Sequence, residues 1–182
     1  MFSTPLASRK SPQWLLLVLL LLSTLFTAQR RSLVQAADSA AELPQGLNLK
    51  DIKFTPDPDD ITGACQMAVL RGDLAKGPSA IAYKSERTPC VVPMHWHSSA
   101  EWLVIIYGVG NVENKGHKPL RLTKGGFFFQ PAHQIGGGTF EPSTLVFISF
   151  DGPADTHWVD DKGTEITGLE AFRRIGLSPK KK

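Results

Sequence analysis

The chain of 182 residues lacks several features that would assign it to a common class of protein. It has only two cysteines, Cys65 and Cys90, and none of its asparagines stands in an Asn-x-Ser/Thr sequon, so we expect no N-glycan. The globular part carries no basic cluster, so we expect no nucleic-acid partner. The longest hydrophobic segment, Trp14–Phe26, is apolar apart from Ser23 and Thr24 and is shorter than the roughly 20 residues needed to cross a bilayer.

Residues 1–36 have the pattern of a secretory signal peptide. Arg9 and Lys10 precede the apolar run, and small residues occupy positions −3 and −1 of a cut before Ala37. The sequence therefore predicts a secreted protein with no stable membrane span after processing. A membrane-anchored protein that keeps an uncleaved signal is the alternative, because two arginines make the segment before the cut long and charged.

The basic character of the chain belongs mostly to this leader. Residues 1–36 hold four basic and no acidic residues, which leaves 16 basic against 17 acidic residues in the remainder. We assign residues 37–60 to an N-terminal extension, 61–175 to one domain and 176–182 to a basic tail that is solvated rather than bound to a membrane.

The segment from residue 61 onward consists of short apolar runs separated by turn residues. This punctuation indicates an all-β sandwich or barrel, and residues 168–175 have the pattern of one short C-terminal helix. The apolar runs are Cys65–Leu70, Ala80–Tyr83, Trp102–Tyr107, Leu120–Leu122, Phe127–Gln130, Leu145–Phe150 and His157–Val159.

Two histidines and a glutamate have the spacing of a metal site. His95 and His97 are two residues apart, so on a strand their side chains point to the same face. Glu101 has the same parity and returns to that face if residues 98–100 form a short break. Two imidazoles and a carboxylate can bind a transition metal and leave positions open for a ligand.

The spacing HxHxxxExxxxxxG, which ends at Gly108, resembles the first motif of the cupin superfamily. The second motif of that family, GxxxxxPxGxxH, fits here at Gly125 and Pro131 and departs at two positions. His133 stands where the family has a glycine, and Gly136 stands where it has its last metal-binding histidine. The resemblance covers about residues 61–163. It implies a cupin-like double-stranded β-helix (a jelly-roll barrel) of the small single-domain type, most of whose members have no assigned activity.

The fourth ligand is open. His133 is a candidate metal ligand with His95, His97 and Glu101, but its odd offset from position 136 would turn it to the opposite face of a continuous strand. The alternative is a loop histidine near the barrel mouth. We interpret Gly136–Gly138 as a flexible loop that fills the space of the missing histidine.

The expected cofactor is a divalent transition metal (Mn, Fe, Ni, Co or Zn), whose identity the ligand types do not decide. Apolar residues would form a pocket wall suited to a small organic ligand. No nucleophile–base pair is visible, so no catalytic residue is assigned. The residues expected to line the pocket are Leu103, Ile105, Phe127 and Phe129.

Two structural questions stay open at this point. Cys65 and Cys90 either pair, as secreted cysteines can, or remain two separate buried thiols. The run Trp102–Tyr107 is apolar on both faces, so its outer face needs cover. We expect a homodimer to supply it, with the chain's own extension or its second sheet as alternatives.

Three functions are compatible with these residues. The first is a secreted binding module that holds a metal, a small organic ligand or both. The second is a metal-dependent enzyme of the oxygenase or isomerase type that acts on a small molecule. The third is a structural barrel with a vestigial site. The missing histidine at position 136 favours the binding module slightly over the enzyme.

Overall fold

The computed structural model describes residues 46–180. The expected signal peptide, the cut before Ala37, the first part of the extension and the last two lysines lie outside the described residues. Within residues 46–180, no helix is long and apolar enough to cross a membrane.

Two antiparallel sheets pack face to face, and the first has six strands in the order β1-β2-β3-β10-β5-β8. Its first strand, β1, comes from the expected extension and pairs along the edge of β2. Pairing then runs β2 to β3, β3 to β10, β10 to β5 and β5 to β8. The strands are β1 (Thr55–Pro56), β2 (Cys65–Gly72), β3 (Ser79–Ser85), β5 (Glu101–Tyr107), β8 (Phe127–Gln130) and β10 (Thr144–Phe150).

The second sheet has five strands in the order β11-β4-β9-β6-β7, also antiparallel throughout. A short 3₁₀ turn, Leu49–Asp51, precedes the two sheets. The strands of this sheet are β4 (Cys90–Trp96), β6 (Val109–Asn114), β7 (Leu120–Thr123), β9 (Gly136–Phe140) and β11 (His157–Trp158).

The hydrophobic core lies between the two sheets. Ile105 and Val146 of the six-stranded sheet pack in one buried cluster with Val112 and Phe140 of the five-stranded sheet. Burial of these inner faces supplies the main favourable free energy of a β-sandwich. The predicted all-β jelly roll is therefore confirmed.

Strand β8 differs from its predicted role in the pocket wall. Phe127 and Phe129 are 59% and 51% exposed, and only the residue between them, Phe128, is buried. Because neighbouring side chains on a strand alternate between faces, only one face of this aromatic run can line the interior. Of the two residues expected in the pocket wall from β5, Leu103 lines the cavity, whereas Ile105 is buried in the core and is not part of the cavity lining.

The run Gly136–Gly138 is not the expected flexible loop. It begins β9, which lies inside the five-stranded sheet between β4 and β6. A Cβ on Gly137 would lie 2.8 Å from the carbonyl oxygen of Val92, and one on Gly138 would overlap that of Asn111. Glycine occurs here because the neighbouring backbones approach closely. In the sequence, a run of glycines of this kind looks the same as a loop.

Cys65 and Cys90 form a disulfide. Cys65 begins β2 in one sheet and Cys90 begins β4 in the other, so the bond joins the two sheets covalently. Both residues are almost completely buried. The alternative of two separate buried thiols is therefore wrong.

The predicted C-terminal helix is confirmed as α1, Gly168–Arg174. Thr167 caps its start, since the side-chain oxygen accepts a hydrogen bond from the backbone N–H of Glu170 at 3.2 Å. Ala171 and Phe172 are buried, and the ring of Phe172 packs against Trp158 of β11. The helix thereby covers one end of the five-stranded sheet.

Candidate metal centre

The three residues of the first motif come together at one place between the sheets. His95 lies near the end of β4, His97 directly follows that strand, and Glu101 begins β5 in the opposite sheet. One ligand atom from each lies within 4.8 Å of the other two. All three residues are at least nine-tenths buried. The predicted convergence of this group is therefore found, and His95, His97 and Glu101 form a possible metal site.

Two backbone carbonyls orient the imidazoles. Nδ1 of His95 lies 2.8 Å from the carbonyl oxygen of Pro93, and Nδ1 of His97 lies 2.6 Å from that of Asp155. A carbonyl oxygen only accepts, so each Nδ1 carries the proton and each neutral ring presents a lone pair at Nε2. Carbonyls hold metal-binding histidines in this way in many proteins.

The carbonyl that orients His95 is available because of a local irregularity in β4. The pairing of β4 with β9 shifts register between Val92 and His95, and Pro93 lies inside that interval. Proline has no N–H to contribute to a ladder, so it is tolerated in a strand at such a bulge. The bulge thus lets a backbone oxygen turn toward a side chain.

The two lone pairs face each other across a short distance. Nε2 of His95 and Nε2 of His97 are 3.1 Å apart, and Nε2 of His97 is also 3.1 Å from Oε2 of Glu101. With both Nδ1 atoms protonated, two neutral rings cannot share a hydrogen bond at that contact. A proton or a metal cation between the three acceptors would stabilise the arrangement.

The spacing also fits a metal. Bonds of about 2.1 Å at right angles separate neighbouring donor atoms by about 3 Å, close to the two separations found here. Imidazole nitrogens with a carboxylate suit several divalent transition metals. The donor set and its spacing are therefore appropriate for such an ion.

Burial and neighbouring charges shift the pKa values of the two histidines in opposite directions. Burial, with the neighbouring charge of His97, lowers the pKa of His95 to about 4. Burial alone would also lower the pKa of His97. The hydrogen bond and charge of Glu101, with the carbonyl of Asp155, outweigh burial and raise that pKa above its ordinary value. His97 is therefore the more readily protonated of the two histidines.

Asp155 is a supporting residue that sequence reasoning missed. Its carbonyl orients His97, while its carboxylate accepts hydrogen bonds from the N–H of Ser98 at 2.8 Å and from Nε2 of His157 at 3.2 Å. Burial alone would raise the pKa of this carboxyl, but the bonds from Ser98 and His157 lower it overall. Backbone contacts of this kind leave no signal in residue spacing.

The structure does not bring the side chain of His133 to the other three residues, although its backbone N–H donates to the carbonyl oxygen of His97 at 2.8 Å. His133 is exposed, has a φ of 62°, and packs its ring 4.9 Å from that of Trp96. Trp96 alternates with the two ligand histidines and therefore lies on the opposite side of β4. His157 stacks on the same tryptophan at 3.7 Å. The expectation that Trp96 faces away from the ligands is correct, although it is half-buried rather than part of the core.

The structure shows a different side chain beside position 136. Gln130 is buried, lines the same cavity as the histidines, and pairs across strands with Glu101. A Cβ on Gly136 would overlap its side-chain oxygen. Gln130 shares the parity of Phe128, so inward alternation along β8 was the one sequence signal that could have identified it.

The site opens into a cavity of about 540 Å³. This volume is in the range of small-molecule pockets. Most of its lining is apolar, including side chains from both sheets and the C-terminal helix. Examples are Leu103, Phe128, Ile148, Phe150, Trp158 and Phe172.

A second polar group lines the same cavity. The hydroxyl of Tyr83 donates to Oδ2 of Asp57 at 2.7 Å, and Asp59 and Asp60 lie nearby in the lining. Burial raises the pKa of Asp57 despite the bond from Tyr83. The carboxylate of Asp60 is held by the backbone N–H of Cys65 at 2.7 Å.

The fold is similar to several solved structures. An acetylacetone dioxygenase from Acinetobacter johnsonii matches with a TM-score of 0.55 and 16% identity, over 71% of this chain and 86% of its own. An RmlC-like cupin protein from Ralstonia eutropha JMP134 matches with a TM-score of 0.52 and 16% identity, over 76% and 93%. KdgF from a Halomonas species has a TM-score of 0.50 and 22% identity, over 61% and 94%.

At these identities the likeness establishes the fold alone, and the chain has the RmlC-like cupin fold. No family profile matches the sequence, and no curated protein matches it significantly. The cupin resemblance of the sequence is therefore confirmed at the level of the fold.

The opposite pKa shifts predict a specific titration of the metal-free protein. We expect His95 to titrate near 4 and His97 above 6.5. Glu101→Gln removes the carboxylate that raises the pKa of His97 but leaves the burial, so that pKa should fall below 6.5. Proton NMR of the imidazole resonances between pH 3 and 9 measures both.

Glu113→Gln is the matched control, because Glu113 is an exposed carboxylate on β6. It should leave the titration of His97 unchanged. A midpoint for His97 below that of His95, or no response to Glu101→Gln, would contradict the assigned roles.

Proposed function

We propose that this protein is a secreted cupin-fold barrel that binds one divalent transition metal and a small organic ligand beside it. The observation that carries the proposal is the 3.1 Å contact between two imidazole nitrogens whose lone pairs face each other next to a buried carboxylate. A direct contact between two lone pairs is unfavourable. A proton on His97 can bridge only part of the group, whereas a dication satisfies all three acceptors at once.

His95, His97 and Glu101 would hold the metal, and the cavity would hold the organic ligand. A bound divalent metal supplies a Lewis acid with positions open to a ligand. The surrounding apolar side chains exclude water and favour a compact ligand with a polar end directed toward the three residues. Pro93 and Asp155 keep the two rings oriented through their carbonyl oxygens.

Metal content tests this proposal. Protein purified without chelators should contain close to one divalent transition metal per chain, and His97→Ala should abolish it, as measured by elemental analysis. The metal competes with the proton on His97, whose pKa is raised. Affinity should therefore fall as the pH decreases, and the fall should begin above pH 6.5.

His117→Ala is the control for this experiment, because it removes an exposed histidine outside the site. It should retain the metal. If the protein binds no metal even after reconstitution, only the vestigial structural barrel remains.

A metal-dependent enzyme is the second candidate. Support comes from the similar acetylacetone dioxygenase and from a similar putative one from Methylibium petroleiphilum PM1, which has a TM-score of 0.54 and 17% identity over 70% of this chain and 89% of its own. Oxygen uptake by the metal-loaded protein in the presence of acetylacetone tests this reading. If the metal-loaded protein binds the ligand but takes up no oxygen, the result favours the binding module.

Secretion is supported by the leader pattern of residues 1–36 and by the disulfide between Cys65 and Cys90, since such bonds persist in oxidising compartments. The exported protein should begin at about Ala37 or Asp38. N-terminal sequencing of protein from the medium checks this. An intact Met1 on a membrane-bound product would instead support the uncleaved anchor.

We also propose that two copies associate through the outer face of the six-stranded sheet. Trp102 and Phe129 are cross-strand partners there, 44% and 51% exposed, beside the exposed Phe127 and Phe147. The chain's β1 covers the other edge of this sheet and does not reach these residues. The patch crosses three adjacent strands including the edge, and a twofold copy of the same patch would cover it.

Analytical ultracentrifugation tests the association. The native protein should sediment as a dimer, and the double change Trp102→Ser with Phe129→Ser should give a monomer. Leu120→Ser, an exposed apolar residue in the other sheet, is the control and should stay dimeric. A native protein that is monomeric at high micromolar concentration would refute the proposal.

A further inference from the structure

The side chain of Gln130 occupies the position where the Cβ of a larger residue at position 136 would lie. Gly136 lies in β9, pairs with His95 across strands, and does not have a positive φ. Its backbone therefore accepts a side chain. The main obstacle is Gln130, whose oxygen a Cβ there would overlap, and Oδ1 of Asn114 at 2.8 Å is a second one. The glycine and the glutamine are complementary in volume.

The orientation of the Gln130 amide follows from its hydrogen bond. Its Nε2 donates to the carbonyl oxygen of Gln134 at 3.0 Å. A carbonyl can only accept, so the nitrogen is fixed on that side and the other atom, Oε1, is the oxygen. Oε1 is therefore the atom presented to the space beside Gly136.

Gln130 lines the same cavity as the three residues of the metal centre. Gln130 is the cross-strand partner of Glu101, and Gly136 is the cross-strand partner of His95, so the amide lies between the neighbours of two of the three ligands. A second amide faces the same point, since Oδ1 of Asn114 lies 2.8 Å from the position of a Cβ on Gly136. That oxygen is buried without a hydrogen-bond partner within the described part of the chain.

We propose that Gln130 replaces the missing histidine, with its amide oxygen as the fourth protein donor to the metal. The inference rests on the metal site proposed above. An amide oxygen is a harder donor than an imidazole nitrogen, so the exchange should favour Mn²⁺ over Zn²⁺ relative to a site with three histidines. Gln130 thereby sets which metal the site prefers.

Competition titrations with Mn²⁺ and Zn²⁺ test this role in the full-length mature protein. Gln130→Leu keeps the approximate size but removes the oxygen, so Mn²⁺ affinity should fall at least tenfold and Zn²⁺ affinity should fall less. Gln130→Glu keeps the shape and adds a charge, so Mn²⁺ affinity should rise. Gln66→Leu, a half-buried glutamine outside the cavity, is the control and should match the native protein.

An exchange of positions adds a second readout. Gly136→His alone should bind metal no better than the native protein, because Gln130 blocks the new side chain. Gly136→His combined with Gln130→Ala should recover at least native affinity and shift the preference toward Zn²⁺. Thermal unfolding of the metal-free variants identifies any that fail to fold, and the near-isosteric Gln130→Glu then decides the question.

Two failures are distinguishable. If the native protein binds metal, His97→Ala abolishes it, and both Gln130→Leu and Gln130→Glu keep native affinities for both metals, Gln130 is only a space-filling residue and the inference is wrong. If the native protein binds no metal, the proposed metal site fails and the inference fails with it.

Discussion

The structure of the site depends on two backbone carbonyls. They orient the imidazoles of His95 and His97 so that the Nε2 atoms of the two rings face each other. The carbonyls of Pro93 and Asp155 each accept a hydrogen bond from Nδ1 of one histidine. This places Nε2 of His95 against Nε2 of His97, which in turn lies 3.1 Å from Oε2 of Glu101. Such a concentration of acceptors away from water is unfavourable by itself. The fold maintains it because the carbonyls come from segments that are fixed elsewhere, one by a bulge in β4 and the other by the contacts of Asp155 with Ser98 and His157.

The two sheets make the site possible because they supply its parts from opposite sides. The histidines belong to the five-stranded sheet or directly follow it, whereas Glu101 and Gln130 belong to the six-stranded one. The disulfide between Cys65 and Cys90 joins the same two sheets. Relative movement of the sheets would therefore alter the distances between donor atoms, and the covalent bond restricts that movement.

Sequence patterns predicted the three residues of the candidate metal centre better than their surroundings. Alternation of side chains on strands predicts that His95, His97 and Glu101 converge. Apolar runs bounded by turn residues predict most of the strands. The sequence did not predict the position of the His133 side chain, because alternation between faces does not apply to a loop residue with a positive φ. Strand β9 was missed because three glycines are the usual sign of a loop, and the reason for them is a close approach of β4 and β6 that only the folded sheet contains. The sequence analysis did not single out Gln130, because its inward position follows only from its shared parity with Phe128 on β8.

The glycines of β9 also give the cavity one patch of bare backbone. Gly137 and Gly138 line it without side chains, so any ligand beside them meets peptide groups whose positions are set by the sheet. Elsewhere both sheets line the cavity with side chains, such as Leu103 and Phe128 on one side and Val112 on the other. Single substitutions during evolution would therefore alter the contour where side chains line the cavity, while the peptide patch stays constant for as long as the fold itself persists.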